Sequence, residues 1–432
     1  MSDKPEKKVT RRDFLKGTGA VAIGSAVAAT MGKGRAEAAG LTDLAVRRTD
    51  KPYEVDDSKL GRFHEMNTCF NRLYGGDPVF AGYGEKWNVT NPLQHMQNND
   101  EGYSLVDYAL GHAAESVGNK LSFAGITYNY RAESKGYSFE DIYPETPLGV
   151  PRFEGTPEEA AQLVKRAAKM FGASLVGVAK FDRKWLYSGT IYADTYENKP
   201  IELPNEMQWQ ISMAVEMEYE AIKTSPAKTS SANVAWAYSL QNSLALYVAE
   251  FIKGLGYKAA ACGNDTALSV PMAIDAGLGE FSRMGLLVTP EFGPRVRLCK
   301  VITDLPLAPD KPISFGVREF CKVCKKCATA CPSGAITDAD EMTWEGPSQS
   351  NNPGVKKWYV DVDKCLQFWG DNGSDCTNCI ASCPYNKLYD HWHHKAAIPL
   401  APVLGRAFVE LDDAFGYGEQ ASSHEWWQQK KK

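Results

Sequence analysis

Two features of the sequence predict its fold class. From Thr156 onward helical and strand patterns alternate, and beyond residue 320 eight of the eleven cysteines fall into two spaced runs. Together they predict a mixed chain, α/β (α+β), with a layered core over 156–305 followed by a cysteine-rich domain over 306–395. An irregular region at 39–155 precedes the core, and an extension at 396–432 ends the chain. Its 432 residues, 44% hydrophobic and 23% charged, exclude a disordered or fibrous protein.

The first 38 residues are set apart. Residues 10–16 read TRRDFLK, and an apolar run rich in Gly and Ala follows at 17–31. The alternative to an export signal is a membrane anchor, but this run is shorter than the roughly 20 apolar residues that span a bilayer. The pattern looks like a twin-arginine signal, with Ala36-Glu37-Ala38 as a small-x-small cleavage site and Ala39 as the first mature residue. The expected handler is the twin-arginine translocase, which carries folded proteins. Removing eight bases and four acids moves the formal net charge from -5 to -9. An acidic mature chain argues against nucleic acid as a partner.

Region 39–155 is rich in Gly, Asn, Tyr and Pro with weak periodicity, and reads as irregular with short elements. In the core, Thr156-Pro157-Glu158-Glu159 is a capping box with proline at the first helical position, and Gly172 stops the helix. Residues 173–181 and 210–217 read as strands, separated by a Tyr/Pro-rich insertion at 183–205. The longest helical pattern is 231–255, with Ala237, Leu240, Leu244, Val248, Phe251 and Leu255 in one stripe. Tyr238 lies about 100° round from that stripe, with Gln241 and Ala245, on a small and partly polar face with room for a bound molecule.

The cysteines carry the most specific chemistry. Cys321-x2-Cys324-x2-Cys327-x3-Cys331-Pro332 is the run of two-cluster bacterial ferredoxins. A second copy, Cys376-x2-Cys379-x3-Cys383-Pro384, is preceded ten residues earlier by Cys365, so residues 366–375 replace the usual tight first turn with a longer loop. Because the fourth cysteine of each run crosses over, Cys321, Cys324, Cys327 and Cys383 are expected on one [4Fe-4S] cluster. Cys331, Cys365, Cys376 and Cys379 are expected on the other. Structural zinc favours paired Cys-x2-Cys knuckles without the x3-Cys-Pro ending. Cys69, Cys262 and Cys299 read as small buried residues, and His391, His393 and His394 as a polar surface turn. Neither a Rossmann fingerprint nor a P-loop is present.

The twin-arginine pattern, the segments CGNDTALSVP at 262–271 and EFGPRVR at 291–297, and the stretched pair of ferredoxin motifs together resemble the respiratory reductive dehalogenases. That resemblance implies a nitroreductase-like core binding cobalamin (a corrinoid) base-off, beside the two-[4Fe-4S] domain. It also implies Tyr238, Asn264 and Arg297 facing substrate. The expected reaction replaces a carbon-bound halogen by hydrogen, with Tyr238 as proton donor, Arg297 as the positive field that favours its phenolate, and Asn264 orienting the phenol. A small integral-membrane anchor protein, the quinone pool as electron source and an outer-face membrane location come with the family. Trp87, Tyr83 and Trp236 are candidates to wall a cavity for a small apolar organohalide.

Other readings stay open in the residues themselves. Tyr238 suits a helix core, Asn264 a turn before Asp265, and Arg297 a surface ion pair. For the whole chain the rivals are an epoxyqueuosine reductase-like corrinoid enzyme, which would act on tRNA, and a non-catalytic iron-sulfur electron carrier.

Overall fold

A computed structural model describes residues 46–50, 52–123, 151–191, 198–389, 391, 395 and 397–428. The signal segment, its cleavage site, His393 and His394 lie outside these residues.

Region 39–155 holds more helix than its weak periodicity suggests. Beyond the short helices Cys69–Tyr74 and Asn91–Asn98, a 19-residue helix, α1 (Leu105–Phe123), lies along the long core helix. Gly111 and Gly118 lower its intrinsic propensity and masked it in the sequence. A Cβ at Gly111 would meet Lys228 Cε at 2.8 Å, the far end of a flexible side chain that can move aside. The Ser239 hydroxyl donates to the Ala114 carbonyl across the same contact.

The core follows the predicted pattern closely. Thr156 Oγ1 accepts from the Glu159 N–H and the Glu159 carboxylate accepts from the Thr156 N–H, completing the capping box of α2 (Pro157–Met170). Strand β1 (Leu175–Lys180) follows, then β2 (Trp209–Glu216), helix α3 (Lys228–Gly254), β3 (Ala259–Cys262), α4 (Ser269–Asp275) and β4 (Val296–Thr303). The insertion contributes a small antiparallel pair, Gly189–Ile191 with Asn198–Pro200.

The four long strands form one antiparallel sheet in the order β1-β2-β4-β3. Side chains alternate between its faces. Ile211, Met213, Val215, Cys299 and Val301 pack with α2 and α3, whereas Ala214, Val296 and Ile302 pack with Met272, Ala273 and Ile274 of α4. By the same parity Arg297 faces α3, and Lys300 faces α4 and the loop before it.

The cysteine-rich domain is built on α5 (Val317–Cys324), the helical turns Lys326–Thr329 and Asn378–Ala381, and α6 (Val362–Asn372). Its apolar interior continues that of the core, with Phe320 and Tyr385 in one cluster with Met284 and Val288. Two fully buried arginines staple the join. Arg283 donates to the carbonyls of Cys321, Thr337 and Ala339, and Arg295 bonds Asn386 Oδ1 at 2.9 Å and Glu216 Oε1 at 2.5 Å. At φ 57°, Gly293 is the only residue type that fits its turn, because a Cβ would lie 2.2 Å from the Tyr385 carbonyl oxygen. From the C-terminal extension, buried Asp412 bonds Lys326 and Lys387 at 2.8 and 2.5 Å, one lysine from each cysteine run.

Candidate active site and cluster ligands

A cavity of about 480 Å³ lies where the core meets the cysteine-rich domain. Tyr238 reaches it from α3, Arg297 from β4 and Asn264 from the loop after β3, so the three predicted residues line one cavity. The Arg297 guanidinium carbon sits 4.9 Å from the Tyr238 ring centroid, over its face. Gln241, three residues along α3, lines the cavity as its face position suggested; Ala245 is buried but not part of the lining.

The loop bearing Asn264 is tightly held. Lys300, fully buried, donates to the carbonyls of Gly263 at 2.9 Å and Asp265 at 2.6 Å, and to Ser269 Oγ at 2.9 Å. The two carbonyls flank Asn264. Thr266 adopts φ 67°, a left-handed conformation rare for a β-branched residue, while its carbonyl accepts from the Tyr187 N–H. Nearby, Trp185 Nε1 and the Tyr53 hydroxyl both donate to Asp275, whose carboxyl burial pushes up to about 6.

Several buried polar atoms at the cavity wall have no hydrogen-bond partner among the described residues: both amide atoms of Gln241, Arg297 Nε and Trp369 Nε1. Burying such groups unpaired is costly, so they suit a ligand carrying amide and carbonyl groups.

The apolar lining differs from the expected one. Trp236 is 51% exposed, and neither Tyr83 nor Trp87 lines the cavity. Phe63, Phe70, Trp185, Phe281, Phe368 and Trp369 do. Trp87 stands behind them, its ring centroid 5.7 Å from Trp369 and 6.1 Å from Phe70. Phe368 and Trp369 belong to residues 366–375, expected as a loop. Most of that stretch is instead α6, capped by Asp361 and ended by Gly373 at φ 65°. Val362, Leu366 and Trp369, at helical spacing, were the available signal.

The eight cysteines gather at two places. Burial pushes the thiols of Cys321 and Cys379 up to about 12 and that of Cys324 up to about 11. After burial, Cys383 is raised by Cys321 and Cys324, and Cys365 by Cys379, Cys376 and Cys331. Cys327 lies between the groups, raised by Cys321 and Cys383 and also by Cys379. This division follows the crossed spacing. Cys331, Cys365, Cys376 and Cys379 all line the cavity. Among the described residues no three Cys, His, Asp or Glu side chains converge on a single-ion site. A cubane spreads its thiolates over the corners of a cube and needs no such convergence. Of the remaining cysteines, Cys262 and Cys299 are buried, and Cys69 lines the cavity beside the second group.

A family model for the reductive dehalogenase subunit matches residues 71–196 and 189–307. The tetrachloroethene reductive dehalogenase of Sulfurospirillum multivorans is 34% identical over 99% of this chain and 94% of its own. The chain belongs to the reductive dehalogenases. A relative from Desulfitobacterium hafniense, also a tetrachloroethene reductive dehalogenase, is 32% identical over 95% of this chain and 94% of its own. Models for a 4Fe-4S double cluster binding domain and a twin-arginine translocation signal match residues 320–386 and 8–31. A solved B12-dependent reductive dehalogenase shares the fold, with TM-score 0.67 at 23% identity over 87% of this chain. The present chain spans 49% of that longer one. The expected fold class and family are therefore borne out, as are an oxidoreductase acting on carbon-halogen bonds and export by the twin-arginine route. No helix among the described residues is long and apolar enough to cross a membrane.

Proposed function

We propose that this reductive dehalogenase replaces the halogen of a small apolar organohalide by hydrogen in the 480 Å³ cavity, which would also hold a cobalamin. One observation carries the reading: a single cavity joins Tyr238, Asn264 and Arg297 to Cys331, Cys365, Cys376 and Cys379. The unpartnered Gln241 amide and Arg297 Nε fit a corrinoid, whose rim carries amide groups.

When bound, the corrinoid supplies a strong cobalt reductant that is refilled by single electrons. Cys331, Cys365, Cys376 and Cys379 hold the cluster nearest the cavity, and Cys321, Cys324, Cys327 and Cys383 hold the outer one. Replacing halogen by hydrogen consumes two electrons and one proton and releases halide. Tyr238 delivers the proton from its hydroxyl. Arg297, fixed over the Tyr238 ring, supplies positive charge for the phenolate left behind and for the departing halide. Asn264, pinned through the carbonyls on either side of it, orients the phenol. Six aromatic rings exclude water and favour an apolar carbon skeleton.

The export signal supports a loaded, folded enzyme that would act on the outer face of the cytoplasmic membrane, where a small integral-membrane anchor protein would hold it and the quinone pool would feed it. The test is an anaerobic assay of reconstituted protein with reduced viologen against organohalides that include tetrachloroethene, the substrate naming the two relatives. Halide release that requires corrinoid is expected. Protein with full iron and corrinoid content that releases no halide from chlorinated or brominated alkanes, alkenes or arenes would sink the reading.

A further inference from the structure

Among the described residues two cations line the cavity, Arg297 and Lys357, and no Asp or Glu lines it with them. Arg297 is accounted for by Tyr238. Lys357 is not. Its ammonium lies 4.7 Å from the Tyr359 ring centroid and 5.4 Å from that of Phe281, and both rings line the same cavity. Among the described residues it has no carboxylate partner. Burial alone, with no opposing charge, pushes the Lys357 ammonium down to about 8. An unpaired charge in such surroundings is costly unless an anion joins it.

The surrounding segment is rigid and presents further donors. The Tyr359 hydroxyl lies within hydrogen-bond distance of three carbonyls, those of Trp344, Asn352 and Val355. Trp358 Nε1 donates to the Ala339 carbonyl at 3.0 Å, and the Arg283 guanidinium lies 4.4 Å from a Trp358 ring centroid. Asn352 also lines the cavity, and its Nδ2 is buried without an acceptor. A cavity cation with no carboxylate partner and an amide donor without an acceptor, both on residues 352–357, suit an anion with several acceptor oxygens.

We propose that Lys357, with Asn352, anchors the phosphodiester in the nucleotide tail of the bound corrinoid. The inference rests on the corrinoid reading above. The nucleotide tail of a corrinoid bound here would have to be housed in the protein, and the phosphodiester is the one fixed negative charge on that tail. Halide product is the other anion this cavity sees, and the test separates the two.

Wild type, Lys357→Met and Lys357→Arg are each matured anaerobically with cobalamin or with cobinamide, which lacks the nucleotide and its phosphodiester. Corrinoid retained through dialysis is read from the visible spectrum, with iron content and melting temperature as checks on folding. Loss of a charge-assisted bond predicts that Lys357→Met releases cobalamin about ten- to a hundredfold more readily than wild type. Lys357→Arg should largely restore retention, and cobinamide retention should be equal in all three. Equal cobalamin retention in wild type and Lys357→Met would overturn the proposal, as would equal weakening toward cobinamide. A change confined to inhibition of turnover by added bromide would overturn it in favour of a halide site. A wild type that retains neither corrinoid defeats the underlying reading instead.

Discussion

Arg297 stacks its guanidinium on the face of the Tyr238 ring, 4.9 Å from carbon to centroid, and each residue comes from a different layer of the core. Strand parity aims Arg297 at α3, and α3 carries Tyr238, so the charge is fixed against the ring by the fold itself. Tyr238→Phe keeps that stack and removes only the hydroxyl. Turnover should fall by about a hundredfold or more, in the range of a lost general acid, with iron and corrinoid content unchanged. Wild-type halide release in that variant would remove Tyr238 from the mechanism.

Lys300 acts through Asn264 rather than on substrate. Lys300→Met removes the ammonium donor from the Gly263 carbonyl and from Ser269 Oγ and leaves the Asp265 carbonyl only its bond from the Ala267 N–H, and should cost roughly 3 kcal/mol of stability and tenfold or more in kcat/KM. In an Asn264→Ala background the same change should cost little further activity, because the loop it positions no longer carries the side chain. Full multiplication of the two losses would show that Lys300 works by another route.

Iron content distinguishes the two cysteine groups. Cys379→Ala should lose the cavity-side cluster and Cys324→Ala the outer one, each removing about half the iron of a two-cubane protein. Cys69→Ser should keep all of it, although Cys69 lies close to Cys365. Iron loss in Cys69→Ser, or none in Cys379→Ala, would break the assignment.

Asp275 makes a pH prediction whose sign follows from burial. Its folded-state carboxyl is raised from 3.8 to about 6, so the stabilising contribution is fully present below pH 3.8 and is lost as pH rises through 6. Across that window wild type should lose roughly 3 kcal/mol relative to Asp275→Asn, which does not titrate. The melting temperature of wild type should therefore fall relative to that of Asp275→Asn as pH rises from 4 to 7. Parallel curves would place the titration elsewhere.

What the sequence announced depended on how local the cause was. The capping box at Thr156 and the cysteine spacing are written within a few residues, and they led to helix α2 and to the double-cluster domain, although the spacing also suggested a loop at 366–375 where most of the stretch is α6. The stack of Arg297 on Tyr238 needs the register of β4 against β2 and the packing of α3, so the family resemblance found those residues where spacing alone did not. Helix α1 was hidden because Gly111 and Gly118 lower its helical propensity. The cavity lining was misread for another reason. Trp87 and Trp369 are equally aromatic in the sequence, and only the folded chain sets Trp369 in front. Lys357 gave no signal at all, since a lysine between tryptophan and lysine neighbours looks like ordinary surface until its ammonium is found among cavity rings.

The cavity-side cysteines and Trp369 line the same cavity as Tyr238. Grafting another ferredoxin module onto this core would therefore change which molecules fit as well as how electrons arrive. Substrate range and electron supply are inherited together in such an enzyme. Directed evolution aimed at a new organohalide has as much reason to mutate α6 as the core that carries Tyr238.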